Sequence, residues 1–224
     1  MEKEILKVLI GSQAHGLATP ESDFDYRAVF VVPTSEILKI GGDPKSKSWI
    51  EEKEDNTSWE IGHFLRMAVK CNPTILECFL APQMPYADTG HEHPLGDELR
   101  ALFPYVWNSK DVANAFVGYG LQQRKRFLDD RENRVNKFAV AYLRSLYQGY
   151  ELLTTGTFTI RIVDTEIGEM LVRWKRGEFD VGEVIGTCHE WEQKCKKAFA
   201  DNPSKETNMG PVNAFLLKIR KENW

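Results

Sequence analysis

The chain has 224 residues, 42% of them hydrophobic and 28% charged, which is typical of globular proteins and too apolar for a disordered one. Its 29 basic and 33 acidic residues give a net charge of −4, which argues against a protein that coats nucleic acid through bulk electrostatics. The sequence shows neither a signal peptide nor an apolar stretch of the roughly 18 residues that span a membrane. We therefore expect a cytoplasmic protein whose four cysteines are reduced.

The first half of the sequence contains the segments that are typical of β-strands. Residues 4–10 are rich in Ile, Leu and Val and end at Gly11-Ser12, which predicts a buried strand followed by a turn. Residues 24–32 are β-branched and aromatic and stop at a proline, which predicts a second strand. Residues 41–53 are polar and turn-like. A third strand is predicted within residues 54–59.

The predicted helices share a spacing of apolar residues that leaves one face of the helix apolar. They cover residues 61–69, 74–80, 112–128, 135–153, a segment near Glu166, 181–199 and 211–220. Asn72 is expected to cap the C-terminus of the first helix, residues 82–94 to form a loop, and residues 157–163 to be extended. Because strands and helices mix only up to about residue 105, the sequence predicts an α/β (α+β) fold with two domains, residues 1–105 and the mainly helical residues 106–224.

The residues that point to a chemistry lie around the second predicted strand. Asp23 and Asp25 are two positions apart at its entrance, so their side chains are expected to project from the same face. Two neighbouring carboxylates repel each other, and Mg²⁺ is the cation that such oxygen ligands commonly hold. Two such ions about 4 Å apart can hold the attacking and leaving oxygens of an in-line phosphoryl transfer.

The Gly11-Ser12 step supplies a matching phosphate-binding element. A glycine at the end of a buried strand allows a phosphate to approach the backbone closely. If a helix starts there, its free N–H groups favour an anion, and the Ser12 hydroxyl adds a donor. Each signal is common on its own. The specific signal is the combination of a buried strand, Gly11-Ser12, ten residues, Asp23-x-Asp25 and a second apolar strand.

This combination resembles the signature of the DNA polymerase β nucleotidyltransferase superfamily. Residues 11–33 (GSQAHGLATPESDFDYRAVFVVP) are similar to its branch of RNA-ligase-associated Pol β-like nucleotidyltransferases. The likeness continues through residues 55–65 and 71–77 and more loosely to the C-terminus. It implies a small mixed sheet of the Pol β type, backed by helices and followed by a helical domain that closes a cleft. Tyr142 departs from the resemblance, which implies histidine at this position in many relatives.

The resemblance also implies a third carboxylate on a neighbouring strand. Asp55, at the start of the third predicted strand, is the first candidate, although it could also be an ordinary surface acid, and Glu60 is the alternative. Glu60 is better explained by the first turn of the following helix, where an acid interacts favourably with the helix dipole.

Basic residues form a further group of candidates. Arg134, Lys137 and Arg144 follow the spacing i, i+3, i+10 and share one helix face, which could contact a triphosphate or simply be exposed to solvent. The run from Arg124 to Arg126 is expected to be exposed to solvent or to contact a polynucleotide.

Three more residues lie close in sequence to the predicted site elements. His15, in the connector after the first strand, could contact phosphate or a base, or have no role. Asn72 and Glu77 match family positions and are expected to be structural.

Together, the carboxylates and the resemblance imply transfer of a nucleoside monophosphate from a nucleoside triphosphate to an acceptor hydroxyl, with Mg²⁺ or Mn²⁺ as cofactor and release of pyrophosphate. The implied metal ligands are Asp23, Asp25 and Asp55, and the implied phosphate contacts are Gly11, Ser12, Lys137 and Arg144. The family suggests RNA repair, so an RNA end is the first acceptor, with a small molecule or a protein hydroxyl as alternatives. The alternative function is a non-catalytic nucleotide- or RNA-binding module on the same fold.

Overall fold

The computed structural model describes residues 2–42, 44–84, 93–129, 134–202 and 205–224. The strands of this described chain are β1 (Lys3–Ile10), β2 (Phe24–Val31), β3 (Ser46–Glu51) and β4 (Glu54–Glu60). Its helices are α1 (Gly11–His15), α2 (Thr34–Ile37), α3 (Ile61–Ala68), α4 (Pro73–Leu80), α5 (Pro94–Arg100), α6 (Phe103–Val106), α7 (Ser109–Asp129), α8 (Val135–Thr155), α9 (Gly168–Lys175), α10 (Val181–Asp201) and α11 (Met209–Glu222). A 3₁₀-helix covers Ile162–Asp164.

The strands form one mixed sheet in the order β1-β2-β4-β3. β1 is antiparallel to β2, β2 is parallel to β4, and β4 is antiparallel to β3. This confirms the predicted α/β class and three predicted strands. The prediction that residues 41–53 are turn-like is wrong where β3 forms. All six residues of β3 are exposed at the sheet edge, so it lacks the alternating apolar pattern that identifies a half-buried strand.

The long periodic helices agree with the sequence. The helices predicted at 61–69, 74–80, 112–128, 135–153, 181–199 and 211–220 correspond to α3, α4, α7, α8, α10 and α11, and the segment near Glu166 corresponds to α9. The short helices α2, α5 and α6 were not predicted, because four to seven residues are too few to display a helical period. Residues 85–92 of the predicted loop 82–94 lie outside the described residues.

Asn72 corrects another prediction. It caps the N-terminus of α4 rather than the C-terminus of α3, since its side chain accepts a hydrogen bond from the backbone N–H of Ile75 at 3.3 Å. Pro73 takes the first helical position, where its missing N–H costs nothing. The Asn72-Pro73 pair therefore starts a helix here.

Two clusters of buried apolar side chains hold the fold together. The first packs β1 and β2 against α3 and α4 and includes Val212, Phe215 and Ile219 of α11. The second is built mainly from α8, α9 and α10 and contains the fully buried Trp174. The domain division between residues 105 and 106 stays a prediction, and side chains from both ranges share the first cluster.

All four cysteines are buried free thiols. Across the described chain, each helix is too short or too polar to cross a membrane.

Candidate active site

A cleft of about 800 Å³ lies where the end of the sheet meets helices α7, α8 and α9. Six of the acidic residues that line it come from the sheet and its connections, Glu21, Asp23, Asp25, Glu52, Glu54 and Asp55, and a seventh, Glu77, comes from α4. The basic residues on its helical side are Arg126, Arg134, Lys137, Arg144 and Lys175. Every residue that the sequence predicts as a metal ligand or phosphate contact lines this cleft, except Glu60, the alternative third carboxylate.

Asp25 and Asp55 are brought together by the parallel pairing of β2 with β4. The two residues are register partners on neighbouring strands, so their side chains project from the same face of the sheet. Arg27 stands two positions after Asp25 on that face. Its Nη2 atom lies 3.5 Å from Asp25 Oδ1 and 3.5 Å from Asp55 Oδ2. A single guanidinium therefore bridges the two carboxylates.

Gly11 presses its backbone against Asp25. The last residue of β1, Ile10, is the register partner of Asp25, and α1 begins at the next residue. Gly11 has φ +68°, and a Cβ atom added there would lie 2.7 Å from Asp25 Cγ and closer still to Oδ2. Both the left-handed backbone and the close approach require glycine. The condition for the phosphate-binding hypothesis is met, because a helix does start at Gly11-Ser12.

The charge of Asp25 is shaped by its neighbours. Burial raises the pKa of Asp25, the Arg27 guanidinium lowers it, and Asp55 raises it again. Lys137 and Asp23 make smaller contributions of opposite sign. Asp23 itself is exposed just before β2 and lines the same cleft. Asp25 is thus the carboxylate on which both negative neighbours and both cations act.

Glu60 has a different position and different partners. It pairs in register with Phe30, which places it on the face of the sheet opposite to Asp25 and Asp55. Its buried carboxylate accepts a hydrogen bond from the Gly62 N–H at 2.7 Å and forms an ion pair with Arg220 at 2.7 Å. The structure thus gives Glu60 the role of N-cap of α3 and brings Asp55, not Glu60, beside Asp25.

A buried ionic cluster lies below the cleft. The His15 Nε2 atom contacts Glu77 Oε1, and Arg144 Nη1 lies 3.5 Å from the same oxygen. Arg144 Nη1 also donates to Gln148 Oε1 at 3.0 Å. His15 is therefore the buried last residue of α1 and not part of an open connector, and Glu77 ties α1 to α8.

The protonation states in this cluster follow from its charges. Burial alone would raise the pKa of Glu77, but His15 and Arg144 outweigh it and hold the pKa at about 2. Burial and Arg144 lower the pKa of His15, although Glu77 opposes them. Glu77 is thus an anion and His15 a neutral ring at neutral pH. Because a carboxylate only accepts hydrogen bonds, the proton of His15 is on Nε2.

The basic side of the cleft contains residues that the sequence singled out and one that it missed. Arg134 and Lys137 are exposed, and Arg144 is partly buried by its contact with Glu77. Lys175, the last residue of α9, is the missed one. Burial and Lys137 lower the pKa of Lys175, and Asp25 raises it, so the lysines of two helices meet near Asp25.

The two arginines of the basic run at 124–126 differ in their exposure to solvent. Arg126 is exposed and lines the cleft, whereas Arg124 is half-buried with its Nε atom buried, so the run is exposed only in part. Tyr142 lies in the second core cluster, where its hydroxyl donates to Glu192 Oε1 at 2.5 Å. This places Tyr142 in the packing of α8 against α10.

No group of three His, Cys, Asp or Glu side chains within the described residues is arranged to hold a metal ion by itself. The carboxylates of Asp25 and Asp55 share Arg27 instead. Arg27 is a second residue that sequence reasoning missed. The sequence could have identified Arg27, because a residue two positions after Asp25 on a strand must lie on the same face as Asp25.

Paired carboxylates on neighbouring strands beside a glycine–serine step are the arrangement expected of nucleotidyltransferases of the DNA polymerase β type. Comparison with known proteins agrees with this class. The chain belongs to the RNA repair pathway DNA polymerase beta family, whose sequence model matches residues 3–200.

Several proteins are similar to the chain. The uncharacterized protein MJ0002 of Methanocaldococcus jannaschii is 30% identical over 166 residues, which cover 70% of this chain and 63% of that protein. The match therefore spans less than two thirds of the archaeal relative. The uncharacterized protein YcgL of Bacillus subtilis is 23% identical over 245 positions, covering 99% of this chain and 91% of YcgL. Among solved structures, a nucleotidyltransferase-like protein from Exiguobacterium sibiricum 255-15 is 9% identical, with 98% of this chain and 74% of that chain covered and a TM-score of 0.34.

Proposed function

We propose that the protein transfers a nucleoside monophosphate from a nucleoside triphosphate to an acceptor hydroxyl, releasing pyrophosphate. The observation that carries the proposal is the register pairing of Asp25 with Asp55 beside the backbone of Gly11. An RNA end is the first candidate acceptor, supported by membership of an RNA repair pathway family. A small molecule or a protein hydroxyl is the alternative acceptor.

Asp23, Asp25 and Asp55 are the residues that would hold Mg²⁺ or Mn²⁺. Their carboxylates are hard oxygen ligands on one cleft, and a cation would relieve the repulsion that Asp23 and Asp55 exert on Asp25. Mg²⁺ is usually held by one or two carboxylates together with substrate phosphates rather than by a complete protein cage. The donor set therefore fits this ion, which when bound would neutralise phosphate charge and activate the acceptor hydroxyl.

The remaining contacts to the substrate would come from the backbone and from the basic side of the cleft. Gly11 and Ser12 would bind the β and γ phosphates through backbone N–H groups and the Ser12 hydroxyl. Lys137 is exposed on the cleft and free to turn toward the phosphates. Arg144 would contribute from a fixed position, because its guanidinium also contacts Glu77 and Gln148.

Asp55 is the candidate proton acceptor. Its side chain is 48% exposed, against 28% for Asp25, so it is the more open of the paired carboxylates. In the proposed step the acceptor hydroxyl gives its proton to Asp55 while its oxygen bonds to the α-phosphorus. The bond from that phosphorus to the bridging oxygen breaks, and pyrophosphate leaves with both electrons of that bond.

The second candidate function is a binding module without catalysis. Arg27 favours it, since its guanidinium already offsets part of the charge of Asp25 and Asp55 without a metal ion. Such a module would bind a nucleotide on the basic side of the cleft. It would have no use for the close fit of Gly11 against Asp25, which is why we prefer the enzyme.

Label transfer separates the two functions. Nucleoside triphosphates labelled at the α-phosphate are incubated with Mg²⁺ or Mn²⁺ and with RNA ends, transfer RNA, small polyols and proteins as acceptors. The enzyme predicts transfer that is lost in Asp25→Asn and Asp55→Asn and retained in Glu51→Gln, an exposed acid on β3. Nucleotide binding without transfer to any acceptor would favour the binding module. Transfer that survives in Asp25→Asn and Asp55→Asn would assign the chemistry to other residues.

A further inference from the structure

We infer that Arg27 is a positioning residue that offsets the repulsion between Asp25 and Asp55 and orients the two carboxylates for nucleotidyl transfer; this rests on the proposed function. Arg27 is outside every residue set that the sequence nominated. Its role would be to bring the two carboxylates together before the ion and the nucleotide arrive.

Two backbone hydrogen bonds fix the guanidinium of Arg27. Its Nη1 atom donates to the carbonyl oxygen of Tyr26 and to that of Asp55, both at 2.8 Å. Tyr26 is on β2 and Asp55 on β4, so the guanidinium is anchored to both strands of the parallel pair. The position of the guanidinium is therefore set by the backbone of the two strands and not by the carboxylate side chains.

The second nitrogen of the guanidinium faces the carboxylates. Nη2 lies 3.5 Å from one oxygen of Asp25 and 3.5 Å from one oxygen of Asp55, which is longer than the roughly 2.7–2.9 Å of a charged hydrogen bond. The contact is thus an electrostatic one that leaves both carboxylates able to accept another cation. The Arg27 side chain is 13% exposed and the two aspartates are more open, so the charge approaches from the interior side.

The pairing of strands makes such a charge necessary. Parallel register places Asp25 and Asp55 side by side, and Arg27 is the cation that the described residues place within 4 Å of both carboxylates. Lysine cannot replace this arrangement, because one ammonium lacks the planar fork that reaches two carbonyls and two carboxylates together. Charge and orientation can therefore be separated by substitution.

Two variants separate these contributions, and a third serves as a matched control. Arg27→Gln removes the charge, and Arg27→Lys keeps the charge but loses the fork. Arg220→Gln removes another poorly exposed arginine that is paired with a carboxylate, Glu60, away from the cleft. The melting temperature is measured with increasing Mn²⁺ and no nucleotide. The values of kcat and KM for the nucleoside triphosphate are measured with the acceptor that the label-transfer experiment identifies.

We expect Arg27→Gln to melt at a lower temperature than the natural protein without metal and to gain more from Mn²⁺, because the ion supplies the missing charge. That extra gain should vanish in Arg27→Gln combined with Asp25→Asn. Arg220→Gln should lose stability with no larger response to Mn²⁺. Arg27→Lys should respond to Mn²⁺ like the natural protein, while its kcat falls by about 10- to 100-fold with little change in KM.

The inference is overturned if Arg27→Gln responds to Mn²⁺ no more than Arg220→Gln does, or if Arg27→Lys keeps the full kcat. In both cases the natural protein remains active, so the proposed function stands. Failure of the proposed function looks different, because the natural protein itself then shows no transfer and no response to Mn²⁺. If Arg27→Gln does not fold, the kcat of Arg27→Lys decides.

Discussion

Replacing Gly11 with alanine tests the contact on which the site is built. The left-handed backbone of Gly11 costs an L-residue roughly 1–2 kcal/mol, and the overlap of the new methyl group with Asp25 adds roughly 1–3 kcal/mol. We therefore expect Gly11→Ala to lower the free energy of unfolding by roughly 2–5 kcal/mol. Relief of the overlap must move Asp25, and a displacement of about 1 Å in a catalytic group can cost about 100-fold in rate.

Gly156→Ala is the matched control for this variant. Gly156 caps the C-terminus of α8 with φ +83°, and a Cβ atom added there would meet nothing within 4 Å. Its cost is therefore the backbone cost alone, roughly 1–2 kcal/mol, with full activity. Urea unfolding gives the two free energies, and label transfer gives the two rates. Equal losses of stability, or full activity in Gly11→Ala, would refute the idea that the Gly11 backbone sets the position of Asp25.

Three further predictions follow from the cleft and its surroundings. Lys175→Ala should raise KM for the nucleoside triphosphate by about 10- to 100-fold, while Arg176→Ala, the exposed next residue, should not; equal effects would remove Lys175 from the site. Asp55→Ala should abolish transfer and change stability by less than about 1 kcal/mol, whereas Glu60→Ala should cost about 3 kcal/mol or more by leaving Arg220 unpaired; the reverse pattern would make Glu60 the third carboxylate. Because the folded pKa of Glu77 is about 2 against 4.5 for the free side chain, Glu77 stabilises the fold above pH 4.5 and this contribution is lost as the pH falls toward 2. Glu77→Gln should therefore flatten the loss of stability between pH 5 and pH 3 in urea titrations, and an unchanged slope would contradict this assignment.

The sequence was most informative where a local pattern decides the structure. The apolar run of β1, its end at Gly11 and the strand that contains Asp25 are recognisable because burial imposes composition and period. The pairing of Asp25 with Asp55 required the resemblance, since they are thirty positions apart and only the parallel register of β2 with β4 makes them neighbours. That register depends on tertiary packing, which no single segment displays.

The residues that sequence reasoning missed are those whose role depends on distant partners. Lys175 reaches the cleft because α9 packs beside α8, and no local sequence pattern near residue 175 predicts a phosphate contact. His15 looked like part of an open connector, yet it is buried against Glu77, a residue sixty-two positions away. The first turn of the following helix was already the better explanation of Glu60, but its ion pair with Arg220, near the end of the chain, could not be read from the local sequence.

Helix α11 has a consequence for work with shortened forms of the protein. The family match ends at residue 200, whereas α11 covers Met209–Glu222 and places Val212, Phe215 and Ile219 in the first core cluster. Its Arg220 balances the buried Glu60, and the Asn223 carbonyl accepts a hydrogen bond from the Thr34 N–H at 2.6 Å. A chain that ends at residue 200 would expose the apolar residues of α3 that α11 covers and would leave the carboxylate of Glu60 without its partner. Precipitation of such a fragment would therefore result from the missing helix and would give no information about the chemistry of the cleft.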